Sequence, residues 1–109
     1  MDKATDRVLF LILTEHWFDE IKSGRKTHEY RKATSFWYQR LLSYMRLVAL
    51  CNSGGAVLVR PQVQFQKAYR KNPECMTFEI NKITIIDGEY TDLKCVEDVF
   101  DIELGERIK

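Results

Sequence analysis

The sequence predicts an α+β domain, a small mixed β-barrel of five to six short strands with two short helices. Three observations carry this. Apolar residues recur with period two, or in short unbroken runs, at several separate places. Only two stretches, both short, space them at helical intervals. Finally, 109 residues that are 45% hydrophobic and 30% charged make one packed domain, residues 1–109, with no linker, repeat or low-complexity tract.

Val8–Leu13 is continuously apolar and reads as a strand buried on both faces. Thr14 is placed to cap a helix through its hydroxyl, with Glu15 at the positive end. Trp17, Phe18 and Ile21 form that helix's apolar stripe, Lys22 suits its last turn, and Gly24 can supply the left-handed residue that stops it. Thr27–Lys32 is expected as a strand, with Thr27, Glu29 and Arg31 on one face and His28, Tyr30 and Lys32 on the other. A second helix is expected over Ser35–Tyr44, carrying Trp37, Leu41 and Tyr44 on one side.

Leu47–Cys51 reads as another apolar strand ended by the turn Asn52-Ser53-Gly54-Gly55. Ala56–Val59 reads as a short edge strand, since Pro61 forbids a central one. Residues 62–74 read as a basic loop with room for a helical turn. Met76, Phe78 and Ile80 alternate with polar residues, and Ile83 and Ile85 continue that strand past a bend. Asp87-Gly88 marks a turn, and Phe100–Leu104 forms a last strand with an acidic outer face.

The longest apolar run is six residues, far below the ~20 that cross a bilayer. Met1–Asp6 is polar and of mixed charge, unlike a signal peptide. Cys51, Cys75 and Cys95 are an odd, scattered set with no CxxC pair; they read as reduced thiols of a cytoplasmic protein, not as a disulfide framework or zinc site. His16 and His28 have no third ligand at metal-binding spacing and read as rim residues, so neither a metal nor a cofactor is expected.

The net charge of +1 hides a segregated pattern. Between Lys22 and Lys71 there are eleven basic residues and a single acid, Glu29. Residues 1–21 and 72–109 are both acidic on balance. A positive face would attract polyanions; equally, the acidic segments can pair with the basic one and neutralise it. Aromatic rings are interleaved with these bases, and exposed rings can stack on unpaired bases. Phe36 and Trp37 are expected in the core, whereas Tyr69, beside Lys67, Arg70 and Lys71, is the expected exposed ring.

The densest functional stretch is Gly24-Arg25-Lys26-Thr27-His28-Glu29-Tyr30-Arg31. It resembles the signature of the ASCH domain family (the activating-signal-cointegrator homology domains), Gly-x-Lys-x-x-Glu-x-Arg, at Gly24, Lys26, Glu29 and Arg31. Trp17 to Gly24, the run Phe36-Trp37 with Arg40-Leu41, and the closing Asp101–Glu106 are similar to small bacterial and phage members. The resemblance extends over about four fifths of the chain, weakest across residues 53–74. It implies a PUA-like barrel with a cleft beside the signature, associated with RNA binding or RNA chemistry.

Physical roles can be assigned within it. Lys26 can reach a phosphate, Arg31 presents a planar fork for phosphate or a base edge, and Gly24 lets the backbone approach a ligand. Glu29 can orient Arg31 or accept from an exocyclic amine; alternatively, Glu29 and Arg31 form a structural ion pair closing the barrel mouth. The expected ligand-binding set is Gly24, Arg25, Lys26, Glu29, Arg31, Tyr69 and Arg70. The expected function is a non-catalytic module holding single-stranded RNA or a modified nucleoside, with no membrane partner. The alternative is a hydrolase using Lys26, Glu29 and Arg31. As a ribonuclease it would use Glu29 as base; as an enzyme like the N4-acetylcytidine amidohydrolases of this fold it would need a Thr nucleophile where this chain has Glu29. A third reading is a protein-interaction domain whose basic face meets an acidic partner.

Overall fold

The computed structural model describes residues 8–55 and 59–109. In chain order it places β1 (Val8–Leu13), α1 (Glu15–Lys22), β2 (His28–Lys32), α2 (Ser35–Asn52), β3 (Gln62–Lys67), β4 (Cys75–Asp87), a 3₁₀ turn (Gly88–Tyr90) and β5 (Asp98–Arg107). The five strands form one mixed sheet in the order β1-β3-β4-β5-β2. Only β1 and β3 run parallel, joined by the long crossover through α1, β2 and α2. The sheet curls into a half-barrel, so the α+β class, mixed pairing and strand number agree with the sequence.

The core fills the concave side. Leu9, Leu11 and Leu13 of β1 meet Val63 and Phe65 of β3, Met76, Ile80 and Ile83 of β4, and Phe100, Ile102 and Leu104 of β5. Phe18 and Ile21 of α1, with Leu41 and Val48 of α2, cover them. Strand β1 is not buried on both faces as its unbroken apolar run suggests. It is a sheet edge, and Phe10 stands 61% exposed on it.

Four further expectations are corrected. Leu47–Cys51 is not a strand but the continuation of α2, which is therefore 18 residues long instead of a short helix. Leu41, Tyr44, Met45 and Val48 form one helical stripe toward the core, and leucine, methionine, arginine and alanine in this stretch all favour a helix. The Asn52–Gly55 signal stops that helix, with Gly54 left-handed at φ +82°. Residues 62–67 are not a loop but the interior strand β3, in which Val63 and Phe65 are buried and the alternating glutamines 62, 64 and 66 are half-buried. Phe36 is not in the core; it is 57% exposed, while Trp37 is partly buried. Thr14 sits at the cap of α1 without a capping hydrogen bond from its side chain, whereas Thr34 accepts one from the Trp37 amide at the start of α2. The strand expected over Ala56–Val59 falls largely on 56–58, and the polar run Met1–Asp6 falls wholly outside the described residues. Among the described residues, no helix is long and apolar enough to cross a membrane.

Among the described residues, no backbone ladder joins the two edges, β1 and β2. Side chains serve the outward carbonyls of β1 instead. The Tyr44 hydroxyl donates to Val8 O (3.0 Å), Arg40 Nη2 to Phe10 O (3.3 Å) and Arg31 Nη2 to Ile12 O (3.3 Å). These bonds supply donors that an edge strand otherwise lacks.

The segment after β4 is folded tightly on Gly88. Its amide donates to Glu97 O and its carbonyl accepts from Thr91 and Cys95. A Cβ at Gly88 would lie 2.5 Å from both Cys95 Sγ and Glu97 O. Gly88→Ala therefore forces the 91–97 segment outward, and urea denaturation is expected to show a loss of about 1–3 kcal/mol.

Candidate functional site

The site begins where α1 stops. Ser23 closes the helix, Gly24 turns the chain at φ +85°, and the Lys26 amide donates to Glu20 O at 3.1 Å. This turn brings Lys26 to the start of β2. Its ammonium lies 4.9 Å from the centroid of Trp17 and 4.7 Å from that of Tyr30, a cation held between two aromatic rings. It pairs directly with the Asp92 carboxylate and stands 3.8 Å from Glu29 Oε1.

Glu29 and Arg31 share the core-facing side of β2 with Ile102 and Phe100 of β5, their register partners. That placement buries Glu29, 7% exposed, in the open end of the half-barrel. Arg31 donates to Glu29 Oε2 through Nε at 3.0 Å, with Nη2 at 2.9 Å from the same oxygen. Its Nη2 also reaches across to Ile12 O on β1, and its guanidinium lies 5.0 Å from the Trp37 centroid. Burial pushes the Glu29 carboxyl above its ordinary value, against the opposing pull of Arg31 and Lys26. Burial, helped by Asp101, Asp92 and Glu29, also raises the Tyr30 hydroxyl and keeps it a proton donor.

The signature residues therefore converge, but they front two clefts. One, of about 450 Å³, is lined by Trp17, Arg25, Lys26, Tyr30, Tyr90 and Asp92, among others. The second, of about 330 Å³, is lined by Glu29, Tyr30, Arg31, Trp37 and Leu93, among others. Tyr30 belongs to both, and the 91–94 segment contributes to the wall of each.

Of the expected binding set, Lys26, Glu29 and Arg31 come together and Gly24 shapes the turn before them. Arg25 lines the first cleft with its guanidinium 2.9 Å from Glu20. Tyr69 is 86% exposed, as expected, but lies in a separate hollow on the far side of Arg31. Arg70 lines none of these clefts and is paired with Glu15. The basic segment is largely neutralised: Lys22 meets Glu74, Lys32 meets Glu97 and Lys67 meets Asp19, besides the pairs already given. Of the two electrostatic outcomes that the sequence allows, internal pairing prevails over a uniformly positive face.

Sequence reasoning missed Asp92, which is 66 positions from Lys26, and the two rings around the ammonium. It also missed the pair formed by His28 Nδ1 and Asp101 Oδ1, 2.6 Å apart. His28 lines the first cleft, and its ring lies parallel to that of Tyr30. The strand alternation did place His28 on the face away from Glu29; only its cross-strand partner was hidden. Among the described residues, no three His, Cys, Asp or Glu side chains cluster as metal ligands would. Compared with protein-family models and with curated proteins, the chain matches none.

The buried carboxyl has a measurable consequence. A raised folded-state value means that folded Glu29 keeps its proton to higher pH than the unfolded chain does, so stability present below that window is lost as pH rises through it. Relative to Glu29→Gln, the wild type is expected to lose stability as pH rises from about 4, measured by urea denaturation at a series of pH values. A difference that is flat, or that grows in the wild type's favour, would contradict the burial described.

Proposed function

We propose that this chain is an RNA-binding domain of the ASCH type, a PUA-like half-barrel that holds a nucleotide of single-stranded RNA in the cleft between Trp17, Tyr30 and Tyr90. The observation that carries this reading is the Lys26 ammonium, fixed between two rings at the wall of a cleft of about 450 Å³. Aromatic walls favour an unpaired base, and every base has a face that can stack. The phosphate attached to such a base meets Lys26, with Arg25 and Lys94 also lining the cleft. Asp92 holds the place of that phosphate until it arrives. The Glu29–Arg31 pair supports the site from below, matching the structural role the sequence allowed for it.

One observation favours a second reading, a ribonuclease. Both Glu29 oxygens already face cations, which leaves it poorly suited to act as a base. His28, oriented by Asp101 in the same cleft, is the better acid–base group. In that case incubation with labelled RNA yields cleavage that His28→Ala abolishes.

Fluorescence anisotropy with a short labelled single strand tests the binding reading. Affinity is expected to fall as salt rises from about 50 to 200 mM. Lys26→Ala is expected to weaken binding about fivefold to tenfold and to lower the salt slope by about one. Asp92→Asn removes the competing carboxylate and is expected to tighten binding severalfold, an effect that unfolding cannot imitate. Binding that ignores salt and both substitutions would overturn the proposal.

A further inference from the structure

A third hollow, of about 300 Å³, opens on the other side of Arg31, between β1, the first turns of α2 and the segment after β3. Three large rings meet there without being buried: Phe10 on β1, Phe36 on α2 and Tyr69. Exposed apolar side chains scattered singly need no explanation, but a cluster of rings around one hollow marks a contact surface.

Two guanidinium groups are built into this cluster. Arg40 lies 5.8 Å from the Phe36 centroid and 5.7 Å from that of Trp37, and its Nη2 is anchored on Phe10 O. Arg31 lies 5.0 Å from the centroid of the same Trp37 ring. Among the described residues, no carboxylate lines the hollow. Arg40 is also outside the network of ion pairs formed by the described residues. The hollow therefore differs from the signature clefts, where Arg25, Lys26, Arg31 and Lys32 each have an acid beside them; here Arg40 has none among the described residues.

The hollow is also next to them. Arg31 and Trp37 line both it and the second cleft, and Tyr30 lines both the second cleft and the first. From this adjacency we infer that the Phe10–Phe36–Tyr69 hollow is a further nucleotide subsite, and that the ligand is a strand of several nucleotides and not a free nucleoside. This rests on the reading of the signature cleft as a nucleotide site. Flat rings stack on bases, and the two fixed guanidinium groups meet the phosphates between them. A hollow of this volume, with no acid among its described lining residues and one wall shared with the next cleft, suits a linear polyanion better than the flat, mixed-charge surface of a protein partner.

The test compares uridine 5′-monophosphate with a fluorescein-labelled decauridylate on the wild-type chain and on Phe36→Ala and Tyr69→Ala. Phe36 is exposed, and retention of the wild-type melting temperature would show that the fold is intact. The decamer is expected to bind at least tenfold more tightly than the monophosphate. Each substitution is expected to weaken decamer binding about tenfold, the scale of one lost base–ring stack. Monophosphate binding is expected to be the same in Phe36→Ala as in the wild type. If both probes bind the wild type equally, or if the decamer ignores both substitutions, the subsite is wrong while the signature cleft stands. If neither probe binds at all, the cleft reading itself fails and takes the subsite with it. Concentration-dependent sedimentation that Phe36→Ala abolishes would assign the rings to a second copy of this chain and overturn the inference.

Discussion

A guanidinium spans the gap that no backbone ladder closes. Arg31 is rooted in β2, braced on the buried carboxylate of Glu29, and hydrogen-bonded to Ile12 O of β1. The two strands it connects are the two ends of the sheet. A buried charge is costly unless it is paired and hydrogen-bonded, so Glu29 and Arg31 depend on each other, and Lys26 adds a further positive charge on Glu29. The three clefts lie around this group. Arg31 lines two of them, and the third is lined by Lys26, which stands beside the same carboxylate.

The parts of the fold that were legible in the sequence are those with an unambiguous local period. His28–Lys32, the alternation from Met76 onward, and Phe100–Leu104 all gave strands close to where they were expected. Failures came where local pattern and tertiary context compete. The apolar run at the end of α2 has no period of its own over five residues, and only in phase with Leu41 and Tyr44 does it read as a helix. In β3 the buried Val63 and Phe65 do alternate, but they were read together with the bases that follow as one basic loop over 62–74. Proline can precede the first residue of a strand without losing a ladder bond inside it. The unbroken run in β1 was read as doubly buried because composition alone cannot say which strand lies at an edge.

For the site, the eight-residue signature gave the correct neighbours because they lie on one short turn and strand. Its electrostatic state was not legible. Asp92, Asp101 and Glu74 come from the far end of the chain, and whether they meet or avoid the basic segment is decided by topology. The structure shows them meeting it: Glu74 pairs with Lys22 in an exposed bridge worth about 0–1 kcal/mol, Asp92 pairs with the largely covered Lys26, and Asp101 lies against His28. Their effect lies less in stability than in cancelling the field of the basic segment everywhere except around Arg40 and the other bases without such a partner among the described residues.

The strand order also dictates a timetable for synthesis on the ribosome. Strand β1 is made first yet pairs with β3, and β2 pairs only with β5, the last strand of all. The β3–β4 hairpin is the first pairing that can form from neighbours in sequence, and it appears after more than half the chain has emerged. Strand β1 has no neighbouring strand until β3 is made, and Glu29 and Arg31 have none beside them until β5 follows. Apolar strand surface of a nascent chain of this domain therefore stays uncovered until β3, β4 and β5 have been made in turn.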